Sequence, residues 1–321
     1  MPDYIFKTYI DSGREYYEYT DATDRAQTIK KDFSFPESLM ELLYMDTQEL
    51  ETITKEMDKA LLAFYQSGAK DDLQVVAAGL DELASRHVYF ELLRLDWTER
   101  LKAVERVTPK EYLRLLPYKK ISHIYSNIDT MQRQIISLIA HALDMDGEKK
   151  SVSEKMVAYY NAEGNDTLYT FQFQPQPVNF EVIDRRIFAE VLYPKDIYDL
   201  IDHHIRECVK REVRMRVCKN CLRYFAVTGK ASTEYCDRVC DSKGRTCREI
   251  GAINTWTQRK QGDEVFKEYR REYKKRFARI NAGKLTKSVF YAWSEEARKK
   301  KEDCDNGTIT PEDFSRWLKE S

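Results

Sequence analysis

Cys218-Lys219-Asn220-Cys221, followed after fourteen residues by Cys236-Asp237-Arg238-Val239-Cys240, has the spacing of a metal site. Two cysteines two residues apart form a tight knuckle, and a pair at i and i+4 shares one face of a helical turn. Four thiolates can then converge on one tetrahedral ion, which for this donor set is zinc. The expected ligands are Cys218, Cys221, Cys236 and Cys240. Buried thiols of an apolar core are the competing reading. Lys219, Asn220, Arg223, Asp237 and Arg238, interleaved with the cysteines, argue against it. Cys247 lies seven residues past Cys240, so on a continuing helix it could face the same way and replace a ligand; Cys208 and Cys304 read as packed or free thiols. Four protein ligands leave no open position, which makes the ion structural rather than catalytic.

The residues between the two pairs suit a short hairpin. Tyr224, Phe225 and Val227 precede a turn at Thr228-Gly229-Lys230, and Tyr235 brings the chain back. Knuckle, hairpin and a helix with ligands in its first turn resemble a treble-clef finger. More narrowly, Cys-x2-Cys-x3-Phe leading to Tyr-Cys-x3-Cys and then arginines, over residues 216–250, resembles the CGNR-type fingers that close some bacterial regulatory proteins. The tetrapeptide that names that family is absent: Cys240 is followed by Asp241, Ser242, Lys243, Gly244 and Arg245. The run 244–252, with Arg279-Ile280-Asn281-Ala282-Gly283, also resembles an uncharacterised family of bacterial and mobile-element proteins, a likeness that implies no activity.

The 321 residues suffice for one large or two ordinary domains, and the formal net charge of −1 hides an asymmetry. Residues 205–284 hold 22 Lys and Arg against 10 Asp and Glu, a net of +12; residues 1–204 hold 24 against 36, a net of −12. An acidic front half and a basic metal segment imply two tasks, or one half masking the other. No apolar run approaches bilayer length and Met1-Pro2-Asp3-Tyr4-Ile5-Phe6 lacks a secretory pattern, so a cytoplasmic protein is expected. Cysteines in metal spacing fit a reducing compartment.

The periodicity predicts a mainly α protein in three parts. Residues 1–195 form an acidic helical domain, opened by a hairpin of Tyr4–Ile10 and Glu15–Tyr19, with a strand pair near 167–183. Within it Leu50, Ile53, Met57, Leu61 and Phe64 recur at helical spacing before Gly68, and Thr108-Pro109-Lys110-Glu111 and Ser151 with Glu154 read as helix starts. Residues 196–250 hold a helix from Asp196 to about Val213 and the finger. Residues 251–321 form a helical cap: the helix from Arg245 runs to Gln261, and a basic helix spans Asp263 to Ile280. A repeat follows, in which Asn281-x-Gly-x-Leu-Thr-x3-Phe-x2-Trp293 recurs as Asp305-x-Gly-x-Ile-Thr-x3-Phe-x2-Trp317. Glycine ends one helix, threonine caps the next, and Phe and Trp face a shared core.

Other motifs fail on context. Asp202-His203-His204 shares letters with a metallophosphoesterase signature but falls mid-helix, where neighbours point to different faces, so packing or a surface polar role is expected. Gly229-Lys230 and Gly283-Lys284 lack the upstream glycine of a phosphate loop, and Cys304 and Asp313 spoil a calcium loop at Asn306-Gly307. With no recognisable triad, the expectation leans away from an enzyme, an active site assembled across the N-terminal helices being left open. Clustered Lys and Arg around the finger point to phosphate contact, hence a nucleic-acid-binding protein of regulatory or mobile-element type, with DNA or RNA as partner. Arg223, Arg238, Lys243, Arg245, Arg248, Arg270, Arg271, Lys274 and Lys275 are the residues expected to touch it. The alternative is an adaptor whose zinc fixes a surface for a protein partner.

Overall fold

A computed structural model describes residues 3–22, 24, 26–162, 170–253 and 264–321, and the chain separates into two compact units. The first comprises Met1–Val217 and Arg223–Thr233; the second comprises Cys218–Leu222 and Glu234–Ser321. No helix among the described residues is long and apolar enough to cross a membrane.

The first unit is built on a five-stranded antiparallel sheet of order β3-β2-β1-β5-β4. Its strands are β1 (Phe6–Asp11), β2 (Arg14–Thr20), β3 (Thr28–Ser34), β4 (Val178–Ile183) and β5 (Ile187–Leu192). Ser12 and Gly13, both at positive φ, supply the two-residue turn between β1 and β2. Alternation then sorts the side chains: Phe6, Ile10, Tyr17 and Tyr19 enter the main core, while Tyr9 and Tyr16 join Ile183, Ala189 and Val191 in a smaller cluster.

Two strand expectations change. The N-terminal hairpin gains β3, which pairs with β2 along its length. The strand pair forms further along the chain than 167–183. Residues 171–177 are irregular, and β4 pairs with β5 through a turn at 184–186. Prolines 175 and 177 offer no N–H to a ladder, and Gln174 N and Phe171 N donate instead to Asp202 Oδ2 and Tyr159 OH. Residues 167–169 lie outside the described residues.

Helices cover the main-core side. They are α1 (Glu37–Leu42), α2 (Thr47–Ser67), α3 (Lys70–Arg86), α4 (Tyr89–Ala103), the short α5 (Tyr112–Leu115) and α6 (Lys119–Ser122), α7 (Ile124–Leu138), α8 (Val152–Asn161) and α9 (Ile197–Lys210). In α2, Asp46 accepts from Gln48 N at the start and Gly68, at φ 69°, closes the end; Leu50, Ile53, Met57, Leu61 and Phe64 are buried as their spacing predicts. Thr108 and Glu111 form a capping box, but only a 3-10 turn follows before α5.

A polar network lies inside this core. Glu15 is fully buried; its Oε1 accepts from Ser38 N at 2.7 Å and its Oε2 lies 3.2 Å from His204 Nε2. Tyr17 OH bridges His204 Nε2 (2.8 Å) and Ser38 Oγ (2.7 Å), and Tyr89 OH reaches Ser38 Oγ at 3.1 Å. His204 is therefore a core residue, its Nδ1 donating to Leu200 O one turn back. One oxygen of this buried carboxylate is met by the Ser38 N–H, and the His204 ring stands beside the other.

In the second unit, α10 (Glu264–Asn281), α11 (Lys287–Asp305) and α12 (Pro311–Glu320) pack around Phe290, Trp293, Phe314 and Leu318, with Tyr269, Tyr273 and Ile280 against them. Both copies of the repeat adopt one geometry. Lys284 N donates to Arg279 O and Thr308 N to Asp303 O across glycines at φ 68° and 76°; Thr286 and Thr310 then cap α11 and α12.

Candidate metal centre

The knuckle is the turn that joins two short antiparallel strands, β6 (Met215–Val217) and β7 (Tyr224–Ala226). The hairpin thus pairs Tyr224, Phe225 and Ala226 with the strand before the first cysteine, and not with a return strand near Tyr235. Within the turn, Leu222 at φ 59° donates its N–H to Cys218 O. Lys219 N donates to Glu234 O at 3.0 Å and Cys236 N to Cys218 Sγ at 3.4 Å, which seats Cys236 against the knuckle.

The second half differs from the expected helical turn. Residues 236–246 form a narrow loop closed by an antiparallel bridge between Val239 and Thr246. Cys240 N donates to Arg245 O and Cys247 N to Arg238 O, both at 2.9 Å. Asp241 ties the loop's tip, its Oδ1 accepting from Lys243 N and Arg245 N, and these N–H bonds hold its carboxyl below the usual range. Thr246 then starts a helix, described over 247–253, with a reciprocal capping box: Thr246 N donates to Glu249 Oε2 at 2.7 Å and Glu249 N to Thr246 Oγ1 at 3.3 Å. Residues 254–261 of the expected helix lie outside the described residues.

This places Cys247, first residue of that helix, beside Cys236. The sulfurs of Cys218, Cys221, Cys236 and Cys247 all lie within 4.8 Å of one another, and Cys221 and Cys236 are 3.7 Å apart. A zinc–sulfur bond of about 2.3 Å implies tetrahedral sulfur–sulfur edges of about 3.8 Å, so the four positions fit such an ion. Cys240 is not among them. It is exposed, with its Sγ 3.4 Å from Arg245 O. Without a helical turn, Cys236 and Cys240 are not stacked one turn apart, and the Val239–Thr246 bridge instead brings Cys247 to the place expected of Cys240. The four gathered thiols could hold a metal ion.

The surroundings act differently on the individual sulfurs. Asn220 Nδ2 donates to Cys247 Sγ at 3.2 Å, and an Arg238 guanidinium nitrogen lies 3.8 Å from Cys236 Sγ. Burial opposes the Cys218 thiolate, but backbone N–H groups of Cys221, Cys236 and Asn220 outweigh it and bring its pKa to about 7. Burial and the neighbouring sulfurs push Cys236 up to about 11, and burial first among the causes raises Cys247. A bound dication reverses that cost by pairing with all four.

The basic residues are dispersed. Arg223 belongs to the first unit, its guanidinium 5.2 Å from the Tyr44 ring centroid. In the second unit Arg245 pairs with Asp241 and Arg248 with Asp237. Along α10, Arg271 pairs with Glu268 and Lys275 with Glu272. Lys243, Arg270 and Lys274 are exposed, with no ion pair to another described residue.

A model of a family of unknown function, DUF6076, matches residues 168–320. That span contains the whole cysteine cluster and the three C-terminal helices. No curated protein and no solved structure matches the chain.

Proposed function

We propose that the second unit is a zinc-stabilised, treble-clef-like module that binds nucleic acid, with Cys218, Cys221, Cys236 and Cys247 as ligands. The observation that carries this reading is the four-sulfur cluster, whose dimensions suit a closed tetrahedral thiolate site. Zinc, when bound, cross-links knuckle, loop and helix start, supplying stability that these short elements lack. The nucleic-acid part is supported by the basic excess of residues 205–284 and by the exposed Arg270 and Lys274, one helical turn apart on α10. Such contacts read phosphate and suit a regulator of transcription or of a mobile element.

The test is metal analysis of the purified chain, with DNA and RNA binding titrated from low to moderate salt. One zinc per chain is expected, with affinity falling steeply as salt rises; removing Arg270 or Lys274 by glutamine substitution should lower the salt slope by about 1 each. Stoichiometric zinc with absent or salt-independent binding discards the nucleic-acid part and leaves the metal site standing. The adaptor reading draws on exposed Phe277, Val289 and Tyr291, and a salt-insensitive one-to-one protein complex would favour it.

A further inference from the structure

The sheet of the first unit ends in a bare, apolar edge. Strand β4 is its outermost strand, with β5 on one side and no described strand on the other. Alternation puts Val178, Phe180 and Val182 on one face, and Phe188 of β5 stands opposite Val182. Phe180, Val182 and Phe188 are 65%, 67% and 70% exposed, and the two phenylalanine rings stack at 5.7 Å. An edge of this kind is a template for another extended segment. The opposite edge of the sheet is guarded, since β3 carries Lys30, Lys31 and Asp32 at its centre. Strand β4 has Glu181 as its one charge, and that carboxylate already accepts from Tyr193 OH at 2.8 Å and lies 3.7 Å from Lys7 Nζ.

The sequence of the strand, Val178-Asn179-Phe180-Glu181-Val182-Ile183, constrains what can cover it. A second copy fits in antiparallel register about a two-fold axis at Phe180. Phe180 then stands opposite its own counterpart, Val178 opposite Val182, and Asn179 opposite Glu181, an amide donor facing a carboxylate. Neighbouring registers fit worse. Moving the axis to Glu181 opposes two carboxylates, moving it to Asn179 brings Pro177, which has no N–H, into the ladder, and placing it between residues 180 and 181 sets Phe180 against Glu181. Because opposed residues share a face, the register centred on Phe180 also joins the two aromatic patches into one strip. Two phenylalanines at these exposures present on the order of 300 Å² per copy, so the contact lies at the small, transient end of protein interfaces.

We infer that β4 pairs with β4 of a second copy of this chain, antiparallel and centred on Phe180, so that two five-stranded sheets join into one of ten strands. The occupant is a second copy because the strand complements itself, apolar residue against apolar residue and amide against carboxylate, in a register that opposes no like charges. Such a contact is isologous and closes at two chains, since each copy spends its bare edge on the other. The charged β3 edge stays outside it. The inference does not rest on the metal centre or on phosphate binding by the second unit.

The experiment follows the mass of the full chain by sedimentation equilibrium from about 1 to about 500 µM, since interfaces of standard size already extend to micromolar affinity and this one is smaller. A reducing agent keeps the exposed Cys240 from linking copies. The mass should rise from one chain towards two and stop there. Phe180→Lys, at an exposed position, sets like charges opposite each other and should hold the chain at one throughout, with an unchanged melting temperature at low concentration. Asn179 reads the register: Asn179→Glu should weaken association and Asn179→Lys strengthen it, each by about two- to thirtyfold over two cross-strand pairs. A one-chain mass over the whole range, Phe180→Lys associating like the parent, or the two Asn179 variants associating alike overturns the inference. So does a chain that stays single while binding an extended Val/Phe-rich peptide at β4, which makes another protein the occupant.

Discussion

Cys247→Ser and Cys240→Ser should behave oppositely, and the structure sets the size of the difference. Cys247 is fully buried, lies within 4.8 Å of three other thiols and accepts from Asn220; Cys240 is exposed and its thiol bonds the loop carbonyl of Arg245. Residues that merely orient metal ligands cost about 10- to 100-fold in affinity when changed, so losing a ligand should exceed the upper figure. A hundredfold is about 2.7 kcal/mol, and since metal binding at the proposed zinc site would be folding energy, the second unit should lose at least that much stability in excess zinc. Cys240→Ser, a surface change away from such features, should stay within about 0.5 kcal/mol. Competition against a chromophoric chelator gives the affinities, elemental analysis the stoichiometry, and thermal melting with and without chelator the coupling. A Cys240→Ser protein that loses its zinc while Cys247→Ser keeps it would refute the assignment.

Acid should weaken the first unit through His87, whose pKa burial lowers to about 4. Between about 6.5 and 4 the unfolded chain binds the extra proton, so stability falls as pH drops, by about 3 kcal/mol for this residue. Urea midpoints at pH 7, 5.5 and 4 should show the loss, and His87→Gln should flatten part of it; identical slopes would contradict the account. Glu15→Ala strands His204 and Ser38 N–H in the core and should cost about 3–5 kcal/mol, with Glu15→Gln milder, measured by denaturant unfolding. Gly251→Ala sets a methyl 2.3 Å from Tyr235 Cδ1 and should cost about 1–3 kcal/mol. At Gly79 the clash is with the flexible Met57 thioether at 2.5–2.7 Å, so alanine there should lower the melting temperature less.

Side chains that announce their own geometry were legible in the sequence. The stripe of α2, the capping box at Ser151 and both Gly-to-Thr turns of the C-terminal repeat follow from local rules and form as expected. Strand β3 is different: its pattern is mostly exposed, with Ile29 and Phe33 half-buried against the core, too few apolar positions to mark a period, and its pairing to β2 leaves no sequence signature. Strand β5 was hidden by its turn. Asp184 and Arg185 take left-handed φ of 49° and 59°, where Asn-Gly would have flagged a hairpin. At the metal centre three of the four gathered cysteines were read as ligands. The fourth depended on whether residues 236–240 were helical, and Thr246 with Glu249, the capping signal that starts the helix at Cys247, would have decided it.

The sheet order has a consequence for how this chain is made. Strand β1 is an inner strand whose second neighbour is β5, so Thr8, once made, waits for Leu192, 184 residues later. At about 5–20 residues per second the ribosome needs roughly 10–40 s to deliver it. Through that interval the β1–β2–β3 ribbon has a bare β1 edge in addition to the outer edge of β3, open to any extended segment nearby. Expression at reduced temperature or with a chaperone in attendance should therefore raise the yield of folded protein.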